Sequence, residues 1–194
     1  MIFQKFLDKK IILASQSPRR HELLKGLGLE FDVLSSIETD ESFPGDMNTD
    51  EVPVYLAKKK AKTFESFIDD KTILITADTI VSLNGKILNK PANRNEAENM
   101  LKQLSGNSHI VITGVCIKSL QKESCFSSST IVYFNDLNNQ EIDYYIDKYK
   151  PFDKAGGYGI QEWIGYIGIK KIEGSYYNVM GLPVQKLYEE LCEF

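Results

Sequence analysis

Cysteine is scarce in this chain. Three occur in 194 residues, Cys116, Cys125 and Cys192, and none shows a Cys-x-x-Cys spacing. So small and odd a set argues against a disulfide scaffold or a zinc site, and it predicts a reducing, cytoplasmic setting. Histidine is scarcer still, with only His21 and His109, and there is no His-Glu-x-x-His or Gly-x-Ser-x-Gly. A zinc hydrolase of that pattern and a Ser-His-Asp hydrolase are therefore disfavoured, and both histidines read as structural. No apolar run approaches the roughly 20 residues of a membrane span. Residues 1–10 carry Lys5, Asp8, Lys9 and Lys10 around a very short apolar patch, unlike a secretory signal. A basic excess is missing too: the formal net charge is −4, which argues against a nucleic-acid binder. It leaves room for a small polyphosphate, whose site needs only a few local cations and, with a metal, a carboxylate or two. Neither Gly-x-x-x-x-Gly-Lys-Ser/Thr nor Gly-x-Gly-x-x-Gly occurs, so the two commonest phosphate-loop signatures are excluded.

What is present is an alternation of strand and helix patterns, the mark of an α/β or mixed α+β fold. The pattern predicts a strand at 11–14, a helix over 18–27, a short strand at 31–34, an exposed loop through 35–50 and a helix over 51–67. A long β-branched strand follows at 73–83. Asn84-Gly85 signals a two-residue hairpin, with the return at 86–88. Asn93 and Glu96 suggest a capping box for a helix to Leu104. Strands are expected near 110–117 and 126–134, then a helix at 139–149, a glycine-rich stretch from 156 to 168, a strand near 167–172 and a helix from Pro183. No repeat or long linker separates independent domains, so 1–194 reads as a single domain whose residues 1–10 form a short N-terminal extension.

Two places point to chemistry. In Ala14-Ser15-Gln16-Ser17-Pro18-Arg19-Arg20 a strand runs into hydroxyls, a proline and two arginines. Ser17 suits the N-cap and Pro18 the first helical position, so free N–H groups, hydroxyls and guanidinium forks converge as an anion site. An ordinary capped helix with solvated arginines is the competing reading. The second place is Asp78, inside the apolar run Ile73 to Val81, where a buried carboxylate needs a positive partner, a metal or a catalytic task. Glu41, in the polar loop, is a candidate second carboxylate, since Mg²⁺ is held by one or two carboxylates plus phosphate oxygens. Lys60 lies in the run Lys58-Lys59-Lys60, Lys90 precedes Pro91 at a strand exit, and Lys154 precedes glycines that permit close backbone approach.

These residues together resemble the Maf proteins, a family of nucleoside triphosphate pyrophosphatases. The resemblance rests on Ala14 to Arg20, Asp40-Glu41, Leu56-Ala57-Lys58-Lys59-Lys60-Ala61, Ala77-Asp78-Thr79, Lys90-Pro91, Leu104-Ser105-Gly106, Asp153 to Gln161 and Gly181-Leu182-Pro183. It runs from Ile11 to the C-terminus, with Gly157 standing where alanine is usual. It implies a mixed fold related to the inosine triphosphate pyrophosphatases, with two lobes flanking a deep cleft, and a divalent-metal-dependent hydrolysis of triphosphate to monophosphate and pyrophosphate. It implies Asp78 as the catalytic acidic residue, with Glu41, Lys60 and Lys90 as its catalytic partners and Glu41 and Asp78 holding Mg²⁺ or Mn²⁺. Ser15, Arg19, Arg20, Thr79, Lys154 and Gln161 are the expected substrate-binding residues. Arg19, Thr79 and Gln161 together resemble the subgroup that prefers dTTP and UTP, and an amide at 161 suits a uracil or thymine edge. A homodimer is a further implication. A nucleotide-binding regulator of septum formation that does not turn its ligand over, and the same chemistry on another non-standard triphosphate, are the competing readings.

Overall fold

A computed structural model describes residues 6, 8–35, 37 and 39–194. Most of the expected N-terminal extension, residues 1–5 and 7, lies outside the described residues. The elements, in chain order, begin with β1 (Lys10–Ala14), α1 (Pro18–Gly26), β2 (Asp32–Leu34), α2 (Val52–Thr63) and a 3₁₀ turn (Glu65–Phe67). Next come β3 (Thr72–Leu83), β4 (Lys86–Leu88), α3 (Arg94–Leu104), β5 (Ser108–Lys118) and β6 (Glu123–Phe134). The chain closes with α4 (Asn139–Tyr149), a 3₁₀ turn (Ala155–Gly157), α5 (Trp163–Gly168), β7 (Ile169–Glu173), α6 (Tyr176–Met180) and α7 (Val184–Glu193).

The sheet is mixed. Its strand order is β2-β1-β3-β5-β6-β7, with β4 paired to β3. β1 runs parallel to both β2 and β3, with Ala14 opposite Leu34 on one side and Thr76 on the other. β4 and β7 are antiparallel to β3 and β6. No helix among the described residues is long and apolar enough to cross a membrane. The chain divides into two compact units, Met1–Asp78 with Thr113–Ser128 and Gly181–Phe194, and Thr79–Ile112 with Ser129–Met180.

The first unit is organised around β1 and the start of β3. Ile12, Ala14 and Leu74 pack with Ala57 and Ala61 of α2, with Phe64 just after it and with Cys116 of β5. Small residues on the inner face of α2 let the helix lie close to the sheet, and the Thr76 hydroxyl donates to the Ala57 carbonyl at 2.7 Å. Gly114, in mid-strand on β5, makes the closest approach: a Cβ there would sit 2.2 Å from the Pro53 carbonyl carbon and 2.3 Å from Val54 N. Glycine inside a strand marks such a backbone-on-backbone contact. Cys116 and Cys125 form a disulfide between β5 and β6. That corrects the expectation drawn from cysteine number and spacing. The pairing is made across neighbouring strands, and spacing along the chain does not reveal it.

The second unit holds the hairpin, with Asn84 and Gly85 at φ 51° and 77°, as a two-residue turn of this type requires. Asn93 caps α3 by accepting from Glu96 N at 3.0 Å, but the Glu96 carboxylate accepts from Ala92 N and the Asn93 side-chain amide rather than from the backbone N–H of the cap. The reciprocal capping box occurs instead at Asn138 and Glu141, ahead of α4. His109, Phe134 and Tyr158 form a buried aromatic cluster with ring centroids 5.1–5.4 Å apart. His109 Nε2 meets the Tyr158 hydroxyl at 2.7 Å, and burial pushes the imidazole down to about 4. A histidine held neutral in the fold and ordinary in the unfolded chain contributes stability that is full above about pH 6.5 and lost as pH falls through about 4, up to about 3 kcal/mol. Urea unfolding at pH 7 and pH 4.5 is expected to show a smaller acid loss in His109→Gln than in wild type. Equal losses in the two proteins would contradict this assignment.

Candidate functional site

The Ser17–Pro18 junction starts α1 where the sequence places it, with Pro18 at the first helical position. The expected Ser17 side-chain cap is not made; the Ser17 N–H instead donates to Ser15 Oγ at 3.2 Å. His21 closes the same turn through a 2.7 Å contact with the Ser15 carbonyl, a structural use consistent with its sequence reading. Arg20 turns inward. Its Nε donates to the Gly181 carbonyl and its Nη1 to the Ala77 carbonyl, both at 2.8 Å. Burial lowers the guanidinium pKa, an effect that Asp78 opposes. A guanidinium has five donors, so Arg20 spends two on tying α1 to the strand that bears Asp78 and to the Gly181-Leu182-Pro183 segment.

Asp78 ends the first unit's share of β3, and both it and Lys60 retain only 11% side-chain exposure. The Lys60 ammonium lies 2.6 Å from Asp78 Oδ1 and 2.9 Å from Glu41 Oε1, so one cation bridges the two carboxylates. An ion pair so shielded from water persists because each partner satisfies the other, and losing Lys60 would leave the buried Asp78 without its bonded cation. The neighbouring lysine works on the same loop. Lys59 Nζ donates to Asp40 Oδ2 at 2.6 Å, to the Ser42 carbonyl at 2.8 Å and to Ser42 Oγ at 3.0 Å. Bonds from Lys59 and from the Ser42 N–H and hydroxyl hold the Asp40 carboxyl at about 2, well below the usual range. Two consecutive lysines at the end of α2 thus fasten Asp40, Glu41 and Ser42, which is how a carboxylate in a polar loop comes to face Asp78.

The donor chemistry of that pair fits a hard divalent cation. One or two carboxylates are what Mg²⁺ takes from a protein when phosphate and water complete its shell, and here both carboxylates meet at the Lys60 ammonium. Among the described residues the one group of three or more histidine, cysteine or acidic side chains close enough to share an ion is Cys116, Glu123 and Cys125, remote in kind from an oxygen-donor site and already joined through its sulfurs.

Thr79, Lys90, Lys154 and Gln161 belong to the second unit. Thr79 follows Asp78 directly on β3 and is half-buried, whereas Lys90 is exposed beside Pro91. Lys154 is buried and ion-paired, to Asp153 at 2.7 Å and to Glu162 at 3.1 Å. The glycines after it let the backbone pack tightly: Gly156, at φ 70°, has Val81 side-chain atoms 3.0–3.1 Å from where a Cβ would be. Gln161 presents a buried amide oxygen with no hydrogen-bond partner among the described residues. The sequence reading passed over Tyr145 and Glu162, which join this group. The Tyr145 hydroxyl donates a very short bond to Glu162 Oε2 and accepts from Gly159 N at 2.9 Å. Burial and the Glu162 contact raise the Tyr145 pKa, so the phenol stays protonated. Glu162 was legible as the residue after Gln161; Tyr145, inside an ordinary amphipathic helix, carried no signal.

The model of the Maf family, described as Maf-like protein, matches residues 10–194. The chain belongs to the Maf family. Two relatives of this member named dTTP/UTP pyrophosphatase are 55% identical over 185 residues (Parabacteroides distasonis, 95% of this chain and 96% of the relative) and 53% identical over 186 residues (Bacteroides thetaiotaomicron, again 95% and 96%). The solved structure of a HAM1 protein from Coxiella burnetii superposes with a TM-score of 0.50 at 16% identity, covering 96% of this chain and all of the other. That likeness shows the mixed α/β fold.

Proposed function

We propose that this Maf protein hydrolyses nucleoside triphosphates to the monophosphate and pyrophosphate, with dTTP and UTP as preferred substrates. The observation that carries the reading is near full-length identity of 48–55% to proteins named for that activity, together with a shielded Asp78–Lys60 pair whose ammonium also meets the exposed Glu41. In the reaction, water oxygen bonds to the α-phosphorus and the bond from that phosphorus to the bridging oxygen breaks, releasing pyrophosphate. Asp78 accepts the proton lost by the water, and Lys60, bonded to Asp78 at 2.6 Å, orients the carboxylate for that task. Asp78 and Glu41 are the residues that would hold Mg²⁺ or Mn²⁺, which supplies charge neutralisation on the phosphate oxygens. Ser15 and Arg19 at the start of α1 contribute hydroxyl and guanidinium donors for phosphate, while Arg20 anchors the wall behind them. Lys90 is a further catalytic partner of Asp78 in this reading, Thr79, Lys154 and Gln161 bind substrate, and Arg19, Thr79 and Gln161 set which nucleotide is taken.

The test is pyrophosphate release from a panel of purine and pyrimidine triphosphates, with Mg²⁺, with Mn²⁺ and with EDTA. Release from dTTP and UTP with either metal, abolished by EDTA, is expected. Release undiminished in EDTA would overturn the metal dependence. Higher kcat/KM for a purine triphosphate would overturn the preference, and no release from any triphosphate would favour a regulator that binds without turnover.

A further inference from the structure

We infer that Tyr145 and Glu162 are positioning residues that fix the amide of Gln161, and thereby set how strongly a uracil or thymine ring is preferred over cytosine. The inference rests on the pyrimidine reading above. Residues 159–162 form a tight turn closed by the Glu162 N–H on the Gly159 carbonyl at 3.0 Å, with Gln161 at its third position. The turn is closed a second time through side chains. Gly159 N donates to the Tyr145 hydroxyl, which donates to the Glu162 carboxylate, so both ends of the turn are tied to one phenol. That phenol is a rigid post: Tyr145 is fully buried on α4 and its ring stacks on Tyr149 with centroids 5.2 Å apart. The other oxygen of Glu162 is held by Lys154. From below, Gly165 brings α5 against the turn, where a Cβ would lie 1.7 Å from the Ile160 carbonyl oxygen.

The turn held in this way carries one unsatisfied atom. The Gln161 amide oxygen is buried without a partner among the described residues, and a buried acceptor of that kind calls for a donor. Uracil and thymine offer N3–H; cytosine presents an unprotonated N3 acceptor at the same place. An acceptor facing an acceptor rejects the wrong ring, provided the amide cannot swing away, because supporting contacts decide whether such a site is tight or loose.

Kinetics with UTP, dTTP and CTP on wild type, Tyr145→Phe, Glu162→Ala and Glu162→Gln test the inference. The UTP:CTP ratio of kcat/KM is measured within each preparation, so the fraction of active enzyme cancels. Tyr145→Phe and Glu162→Ala are expected to lower that ratio about tenfold, through KM for UTP with kcat changed less than about twofold. Glu162→Gln keeps an oxygen for the Tyr145 hydroxyl and is expected to restore most of the ratio. An unchanged ratio in either folded loss variant, or a Glu162→Gln ratio no better than that of Glu162→Ala, overturns the positioning role while leaving the pyrimidine reading standing. A wild type that does not favour UTP over CTP fails the pyrimidine reading itself, and this inference with it.

Discussion

Asp78→Asn is expected to reduce pyrophosphate release by about a thousandfold, the scale of losing a positioned base, while leaving the fold in place. Asparagine matches aspartate in shape and its carbonyl oxygen can still accept from Lys60, so the buried bond at 2.6 Å has a neutral replacement. What disappears is the negative charge, and with it the proposed proton acceptor and half of the proposed oxygen-donor pair. Steady-state rates with dTTP and UTP, measured beside thermal melting, separate the two effects. Loss of turnover in a variant that melts within a few degrees of wild type supports the assignment. A variant retaining activity to within a few-fold would remove Asp78 from the mechanism.

The second large effect is expected at a residue with no chemistry. In Gly114→Ala the new methyl would need to occupy space 2.2–2.4 Å from three backbone atoms of Pro53 and Val54. Backbone cannot rotate aside as a long side chain does, so α2 must shift away from β5. Overpacking of this kind costs about 3 kcal/mol. Because α2 also carries Lys59 and Lys60, the shift displaces the clamp on Asp40, Glu41 and Ser42, and turnover by the folded fraction should fall as well. Urea unfolding, with activity measured well below the transition, checks both expectations. Wild-type midpoint and wild-type kcat/KM in Gly114→Ala would show that the contact is not what places the helix.

Much of this molecule is legible from residue order, and the exceptions share a cause. The hairpin at Asn84-Gly85 and the helix over Asn139–Tyr149 fall where their local signals put them, because turn chemistry and apolar periodicity are local. The expected helix over 51–67 stops at Thr63 and continues as a 3₁₀ turn, a difference confined to the fraying end. α5 and α6 are missed because helices of six and five residues give no period, and Gly165 and Gly168 read as breakers. Gly165 stands there for its approach to Ile160, a tertiary reason absent from the local pattern. The disulfide and the exchange of capping partner at Glu96 are likewise set by neighbours distant or adjacent in space rather than by spacing.

The candidate site shows the same division. Asp78 stands out as a carboxylate in an apolar strand, and the structure supplies Lys60 as the positive partner such burial demands. Glu41 does not stand out, since polar loops are full of acids; only the Lys59–Lys60 clamp brings it to the cluster. Arg20 is visible in the sequence as an anion ligand and invisible as a tie between the Ala77 and Gly181 carbonyls. A motif names the residue types a reaction needs, whereas the work of holding them falls to groups such as Tyr145, Glu162 and Gly114 that no motif marks.

The most direct measurement of the central claim is product analysis of dTTP and UTP after limited turnover with Mg²⁺, resolving monophosphate, diphosphate, pyrophosphate and phosphate. The account predicts dTMP and UMP with pyrophosphate in equal amounts from the first time point, and no diphosphate at any time. Accumulation of dTDP or UDP with inorganic phosphate would place the cut at the γ-phosphate and contradict it.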